Sequence, residues 1–283
     1  MRVLVTGAGG QVGSELAAHL GHHDTVAVDR TRLDVTDRAG VEQALGSFGP
    51  DAVVNCAAWT DVDGCESDPE RAFTANALAV RHLAVACARI GAHLVQVSTD
   101  YVFPGDGDEP YREWDRPDPR SVYGRSKLGG ELELAAHARS WALARTSWVF
   151  GRRGANFVDT ILVRARRGDP LQVVTDQRGC PTYAPDLAGV LARLATGRHQ
   201  GIFHVTNQGA CTWHELAAAT VELGGLGAAT VGETTSAAFA RPAPRPANSV
   251  LGDSALTAAG LPRLRSWRQA LAEKLSMPAE VRS

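Results

Sequence analysis

The sequence predicts an α/β fold, a doubly wound parallel sheet followed by a smaller C-terminal region. Three observations carry that expectation. Short apolar runs recur along the first half of the chain (Arg2-Val-Leu-Val-Thr, Thr25-Val-Ala-Val-Asp29, Ala52-Val-Val-Asn, His93-Leu-Val-Gln-Val), and runs of this kind read as strands buried on both faces. Helical patterns alternate with them, including a long one from Pro69 to Ile90. A glycine-rich turn, Gly7-Ala-Gly-Gly10-Gln-Val-Gly13, joins the first strand to the first helix. Strand–helix alternation through residue 150 implies parallel strands, since a crossover helix lets the chain re-enter the sheet in the same direction.

Composition narrows the class. With 283 residues the chain has ample length for a buried core. A formal net charge of −2 with dispersed basic residues leaves no footprint for a nucleic acid. No run of about 18 apolar residues is present, so no membrane partner is expected. The N-terminus enters a strand at once and reads as lacking a signal peptide. Five cysteines, odd in number and without CxxC spacing, read as reduced thiols of a cytoplasmic protein.

Each element then suggests its chemistry. Gly7, Gly10 and Gly13 stand between a strand and the helical Ser14-Glu-Leu-Ala-Ala-His-Leu. Glycines admit a pyrophosphate close to the backbone, and a helix N-terminus offers it N–H groups; this is the Rossmann-type arrangement. The second strand ends in Asp29, placed to bond an adenine ribose 2′-hydroxyl, and Arg30 beside it is suited to a 2′-phosphate. NADPH and NADH therefore both stay open, with a tilt to NADPH if Asp29 swings to solvent. Leu33-Asp34-Val35-Thr36 reads either as an adenine-contacting turn or as a cap for the next helix. Ala52 to Ala58 reads as a fourth strand, whose small residues let a cofactor cross the sheet edge.

The strand at His93 closes in Ser98-Thr99-Asp100, and Tyr123 and Lys127 follow four residues apart, one helical turn on one face. Together a hydroxyl, a phenol and an ammonium suit proton transfer to a carbonyl. A free phenol titrates near 10, so the nearby ammonium is expected to lower it. Lys127 is one of only two lysines among 29 basic residues. Keeping lysine in so arginine-rich a chain fits a compact donor beside a phenol and a ribose.

These residues sit in longer signatures: G-x-x-G-Q-V-G-x-E-L, V-N-C-A-A-W-T-D-V-D, S-T-D-Y-V-F-P-G, V-Y-G-x-S-K, R-T-S-W-V-F, D-Q-x-G-C-P-T and R-P-A-N-S. On them the chain resembles the extended short-chain dehydrogenase/reductase family, in its branch acting on dTDP-4-ketosugars. The resemblance implies a catalytic set of Thr99, Tyr123 and Lys127. It implies cofactor contacts at Gly7, Gly10, Gln11, Val12, Gly13, Asp29, Arg30, Asp34, Val35, Ala57, Ala58, Trp59 and Thr60, besides Tyr123 and Lys127. It places Thr99, Asp100, Trp148, Asn156, Arg245 and Asn248 at a dTDP-sugar substrate. The implied reaction is reduction of the C4 ketone of dTDP-4-dehydro-β-L-rhamnose. A ketoreductase for another dTDP-deoxysugar is the near rival, and a non-catalytic nucleotide-binding regulatory subunit the rival of another class.

Residues 1–150 are expected to bind the dinucleotide, with elements from about 170–205 joining that sheet, and residues 151–283 to bind mainly substrate. Ala237 to Pro246 reads as a linker or a lid, and Ser266 to Leu275 as an amphipathic structural helix. A homodimer is left open. Some members of the family hold a divalent metal such as Mg2+ with carboxylates at a subunit contact. Glu15 matches one such position, but Pro181-Thr-Tyr-Ala-Pro offers proline where a second acid belongs, which argues against a metal.

Overall fold

In the computed structural model, which describes residues 1–227 and 229–277, the early apolar runs become strands β1 (Arg2–Thr6), β2 (Asp24–Val28), β3 (Ala52–Asn55), β4 (His93–Thr99) and β5 (Trp141–Thr146). Residues 228 and 278–283, within the expected substrate region, lie outside the described residues. Short strands β6 (Val149–Phe150), β7 (Leu171–Val174), β8 (Arg178–Gly179) and β9 (Thr182–Tyr183) follow, then β10 (Gly201–His204), β11 (Cys211–Thr212) and β12 (Val231–Thr234). The helices are α1 (Gly13–His19), α2 (Arg38–Phe48), α3 (Val62–Ser67), α4 (Pro69–Phe73), α5 (Ala79–Ile90) and α6 (Val122–His137). They continue as α7 (Phe157–Arg167), α8 (Ala184–Thr196), α9 (Trp213–Leu223), α10 (Ser254–Ala258) and α11 (Trp267–Ser276). No helix among the described residues is long and apolar enough to cross a membrane.

Six strands pair in parallel in the order β10-β5-β4-β3-β1-β2. Val3, Val5, Ala52, Val54, Ala142 and Ala144 face Leu16 of α1, Leu20 at its C-cap, and Leu187 and Leu191 of α8. On the other face Leu4, Val53, Leu94 and Leu143 meet Val41, Leu45, Leu83 and Leu134 of α2, α5 and α6. Both faces are thus sealed, which is why these strands need no polar alternation. From β1 the chain steps outward to β2 and then returns to β3 on β1's other side, so the order reverses there. The C-terminal strand ends beside such a reversal form a crevice, the usual ligand site of this architecture.

Two expectations change in detail. The run at Ala52 is the third strand of the chain, because residues 30–51 hold only a turn and α2. That turn is made by Asp34, which accepts from Thr36 N at 2.9 Å, and Asp37, which caps α2 by accepting from Ala39 N. The pattern from Pro69 to Ile90 is interrupted by a π-helical turn at Thr74–Leu78, a widened turn that often marks a functional site.

The smaller region packs α7, α9 and α11 around Phe150, Leu162, Leu216 and Leu271. Residues 235–253 then run back toward the sheet, with Asn248 bridging Arg178 and Leu251 bridging Tyr111.

Candidate active site

At the crevice a cavity of about 770 Å³ is lined by Gly7, Gly10, Asp29, Arg30, Asp34, Val35, Ala57, Ala58 and Trp59, together with Gly9, Thr31, Cys56 and Arg71 among others. Gly7 has φ +70° and a Cβ there would lie 2.6 Å from Ala57 N, while a Cβ on Gly13 would meet Gly7 O at 2.3 Å. Side chains at either position would break the turn, so the backbone is free to approach a ligand. Asp29 is held at the end of β2: its Oδ1 accepts from Thr31 N (2.9 Å), Thr31 Oγ1 (2.7 Å) and Arg32 N (3.3 Å). Those bonds lower its pKa. Arg30 pairs with Asp34, Nε to Oδ2 at 3.1 Å. A glycine cradle and a fixed carboxylate at this spacing fit a dinucleotide.

Besides Tyr123 and Lys127, four of the expected cofactor residues lie off this wall. Val12 is the N-cap of α1, Gly13 begins that helix, and Thr60 is exposed beyond Trp59. Gln11 turns to the smaller region, where Nε2 donates to Ala155 O at 3.3 Å, and its buried Oε1 has no partner. Two residues that the spacing did not reveal hold the wall. Asn76, in the π turn, accepts from Trp59 N (2.8 Å) and donates to Trp59 O (3.0 Å) and Ser126 Oγ (3.0 Å). Arg71 lies 4.3 Å over the Trp59 ring.

Thr99, Asp100, Tyr123 and Lys127 come together where β4 ends and α6 begins. Ser121 caps α6 by accepting from Gly124 N, which starts the helix just before Tyr123. Lys127 Nζ donates to Val97 O at 2.7 Å. The Thr99 hydroxyl donates to Asp100 Oδ1 at 2.9 Å and accepts from Tyr101 N at 3.2 Å, and it stands close enough to the Tyr123 phenol to lower its pKa. All four side chains are buried. Burial pushes Lys127 down to about 8 and Asp100 up to about 6. The Ser249 hydroxyl and Thr99 partly offset the rise at Asp100.

The phenol corrects an expectation. Burial drives the Tyr123 pKa well above its ordinary value, and the Thr99 contact only partly offsets this. Desolvation of the phenolate dominates, and the neighbouring Asp100 adds to the rise.

Of the residues expected at the substrate, Trp148 follows β5 with φ +48°, a left-handed backbone that is strained for a bulky residue. Its ring stacks on Trp213 at 3.6 Å between centroids and 8° between planes. Gly179 passes so close that a Cβ would lie 2.5 Å from the Trp148 ring. Trp213, missed in the sequence because it sits 65 residues away on α9, therefore backs the indole. Asn156 caps α7: it accepts from Asp159 N at 3.0 Å and donates to Gly154 O and Asp159 Oδ2. Arg245 binds Asp63, and Asn248 donates to Gly107 O at 2.7 Å. These three are thereby fixed in loops and caps around the crevice and not in the Thr99–Tyr123–Lys127 group.

Glu15 does not gather other acids: its carboxylate lies 3.5 Å from the Arg152 guanidinium. Among the described residues no group of three or more His, Cys, Asp or Glu is placed to hold a metal ion.

Comparison with known proteins agrees along the whole chain. The family model described as the RmlD substrate binding domain matches residues 1–279. A dTDP-4-dehydrorhamnose reductase of Streptomyces griseus is 46% identical over 98% of this chain and 93% of the relative. A probable dTDP-4,6-dihydroxy-2-methyloxan-3-one 4-ketoreductase of Streptomyces antibioticus is also 46% identical, over 96% and 94%. The crystal structure of dTDP-4-dehydrorhamnose reductase from Bacillus anthracis, in complex with NADP, superposes with a TM-score of 0.94 at 35% identity, covering 96% of this chain and 97% of that one. With the fold, the crevice and the full-length match in agreement, the chain belongs to the dTDP-4-dehydrorhamnose reductase family.

Proposed function

We propose that this protein reduces the C4 ketone of dTDP-4-dehydro-β-L-rhamnose to dTDP-L-rhamnose. The observation that carries this reading is the convergence of the Thr99 hydroxyl, the Tyr123 phenol and the Lys127 ammonium at one strand end, beside a dinucleotide-sized cavity. A bound NADPH or NADH supplies the hydride. The high pKa of the buried Tyr123 keeps it protonated, ready to donate to the alkoxide that forms at C4. Lys127, charged below about pH 8, stabilises the phenolate left behind. The Thr99 hydroxyl holds the carbonyl oxygen against Tyr123. Trp148 offers a rigid face for the sugar, and the strained backbone that presents it is held by Gly179 and Trp213.

A second reading, reduction of a different dTDP-4-ketosugar, is favoured by the equally similar relative from Streptomyces antibioticus. Thr99, Tyr123 and Lys127 standing together argue against a purely regulatory role. The test is turnover of dTDP-4-dehydrorhamnose, generated in a coupled assay, with NADH and NADPH in parallel and a second dTDP-4-ketosugar as competitor. Formation of dTDP-L-rhamnose at the higher kcat/KM is expected. Preference for the competitor would replace the first reading by the second.

A further inference from the structure

The end of strand β4 meets one face of helix α6. Thr99 lies beside Tyr123, Ser98 Oγ donates to Glu131 Oε1 at 2.6 Å, and Val97 O accepts from Lys127 at 2.7 Å. Residues 123, 127 and 131 are four apart and share one face of the helix. Glu131 is 7% exposed, yet the proton-transfer set does not use it. Its carboxylate is gripped from β5 by Arg145, Nε to Oε1 at 3.0 Å and Nη2 to Oε2 at 2.7 Å. A bidentate pair of this kind fixes direction as well as charge. Arg145 is itself enclosed by the Phe103 ring at 5.0 Å, His204 Nε2 at 3.5 Å and Glu113 O at 3.4 Å. A buried carboxylate with both oxygens engaged has one place to be, and here that place is one turn behind Lys127.

We propose that Glu131 is a positioning residue for the reduction: its charge keeps Lys127 an ammonium, and its bond from Ser98 sets the strand end that presents Thr99. The proposal rests on the reductase reading. Glu131 is the strongest of the groups that hold Lys127 in its charged form, ahead of Cys56. Cys56, after β3, is pushed up to about 12 by burial and stays a neutral thiol. His204, on β10, is pushed down to about 3 by burial and by Arg145, and stays neutral. Glu113 is engaged elsewhere, its Oε1 accepting from Ala255 N at 2.9 Å and from His204 N at 3.4 Å. Burial lowers Lys127, and Glu131 opposes that shift.

Two lysines in the chain make the test direct. Protein labelled with 13C-lysine gives two side-chain signals, and the Lys127 signal is identified by its loss in Lys127→Met. Its titration is followed in the parent and in Glu131→Gln. In Glu131→Gln the midpoint is expected to move about one pH unit or more to acid, the scale of losing a close opposite charge. The basic limb of kcat/KM should move with it. Ser98→Ala keeps Glu131 and Arg145 paired, so kcat should fall about tenfold with the Lys127 midpoint unmoved. A parent-like midpoint in Glu131→Gln overturns the proposal while leaving the reductase reading intact. If Glu131→Gln does not fold, with Arg145 left unpaired, Ser98→Ala decides, and a parent-like kcat there overturns the proposal. A shifted midpoint in a protein that turns over no dTDP-4-ketosugar counts against the reductase reading alone.

Discussion

Asp63 and Arg245, 182 positions apart in the chain, form a two-point ion pair, Nη1 to Oδ1 at 2.7 Å and Nη2 to Oδ2 at 3.0 Å. Arg241 adds a contact of 2.6 Å, and Ala243 N donates to Oδ1 at 3.1 Å. One carboxylate on α3 thus fastens the proline-rich segment, which is a strap tied to the first domain's α3 and not a free linker. Asp63→Asn is expected to lower stability by about 1–2 kcal/mol, the lower part of the range for charged hydrogen bonds because Arg241 is half exposed. Urea unfolding measures this, and a raised KM for the sugar nucleotide should accompany it. The arginines hold the Asp63 pKa well below its ordinary 3.8. A depressed carboxylate contributes stability above the unfolded value and loses it as pH falls through the folded one. The strap should therefore stay fastened throughout the neutral range.

Tyr123→Phe removes the phenol and keeps the ring that meets Tyr101 edge-on at 5.5 Å. The fold should persist, while kcat falls by about two to four orders of magnitude, the scale of losing a general acid. Single-turnover hydride transfer with the variant checks it; a rate within tenfold of the parent would reassign the proton donor.

Alkali should separate activity from stability at Lys127. The ammonium is the active form, so kcat/KM should decline as pH rises through about 8. Between about 8 and the ordinary 10.5 the unfolded chain keeps a proton that the folded chain has shed. Stability rises with pH wherever the unfolded state binds more protons, so the contribution of Lys127 to stability should improve over the interval in which activity is lost. Rate profiles and denaturation midpoints across pH 7–10, compared with Lys127→Met, test the opposed trends.

Cofactor choice rests on Asp29 and Arg30. The tilt to NADPH required Asp29 to swing outward, but Thr31 and Arg32 hold its Oδ1 in place. A fixed carboxylate disfavours a 2′-phosphate, and Arg30, 75% exposed and paired with Asp34, answers it weakly. Comparable kcat/KM with NADH and NADPH is expected. Arg30→Ala should weaken NADPH by about 1 kcal/mol, the size of an exposed charged contact, with little change for NADH. Equal effects on both would show that Arg30 does not meet the phosphate.

Trp213 touches the proposed site only through Trp148. Trp213→Leu removes the stacked ring at 3.6 Å and leaves a strained residue without its backing. KM for the sugar nucleotide is expected to rise about tenfold, with a smaller change in kcat, since aromatic stacking contributes about 0.5–1.5 kcal/mol beyond burial. Quenching of tryptophan fluorescence by dTDP should weaken in parallel.

Local spacing alone determined the glycine turn, the pairing of Tyr123 with Lys127 on one face, and the strand ending at Thr99. These depend on residues within a turn or two of each other, where helix and strand geometry leaves few options. The same spacing extended by four reaches Glu131, but nothing local says that this acid is buried against Ser98 and Arg145. Tertiary structure decided that, as it decided the raised phenol, the stacking of Trp148 on Trp213, and the fastening of Arg245 to Asp63. Burial sets the cost of each charge, and partners 14 to 182 positions apart become neighbours only when the sheet, its helices and the returning strap have packed.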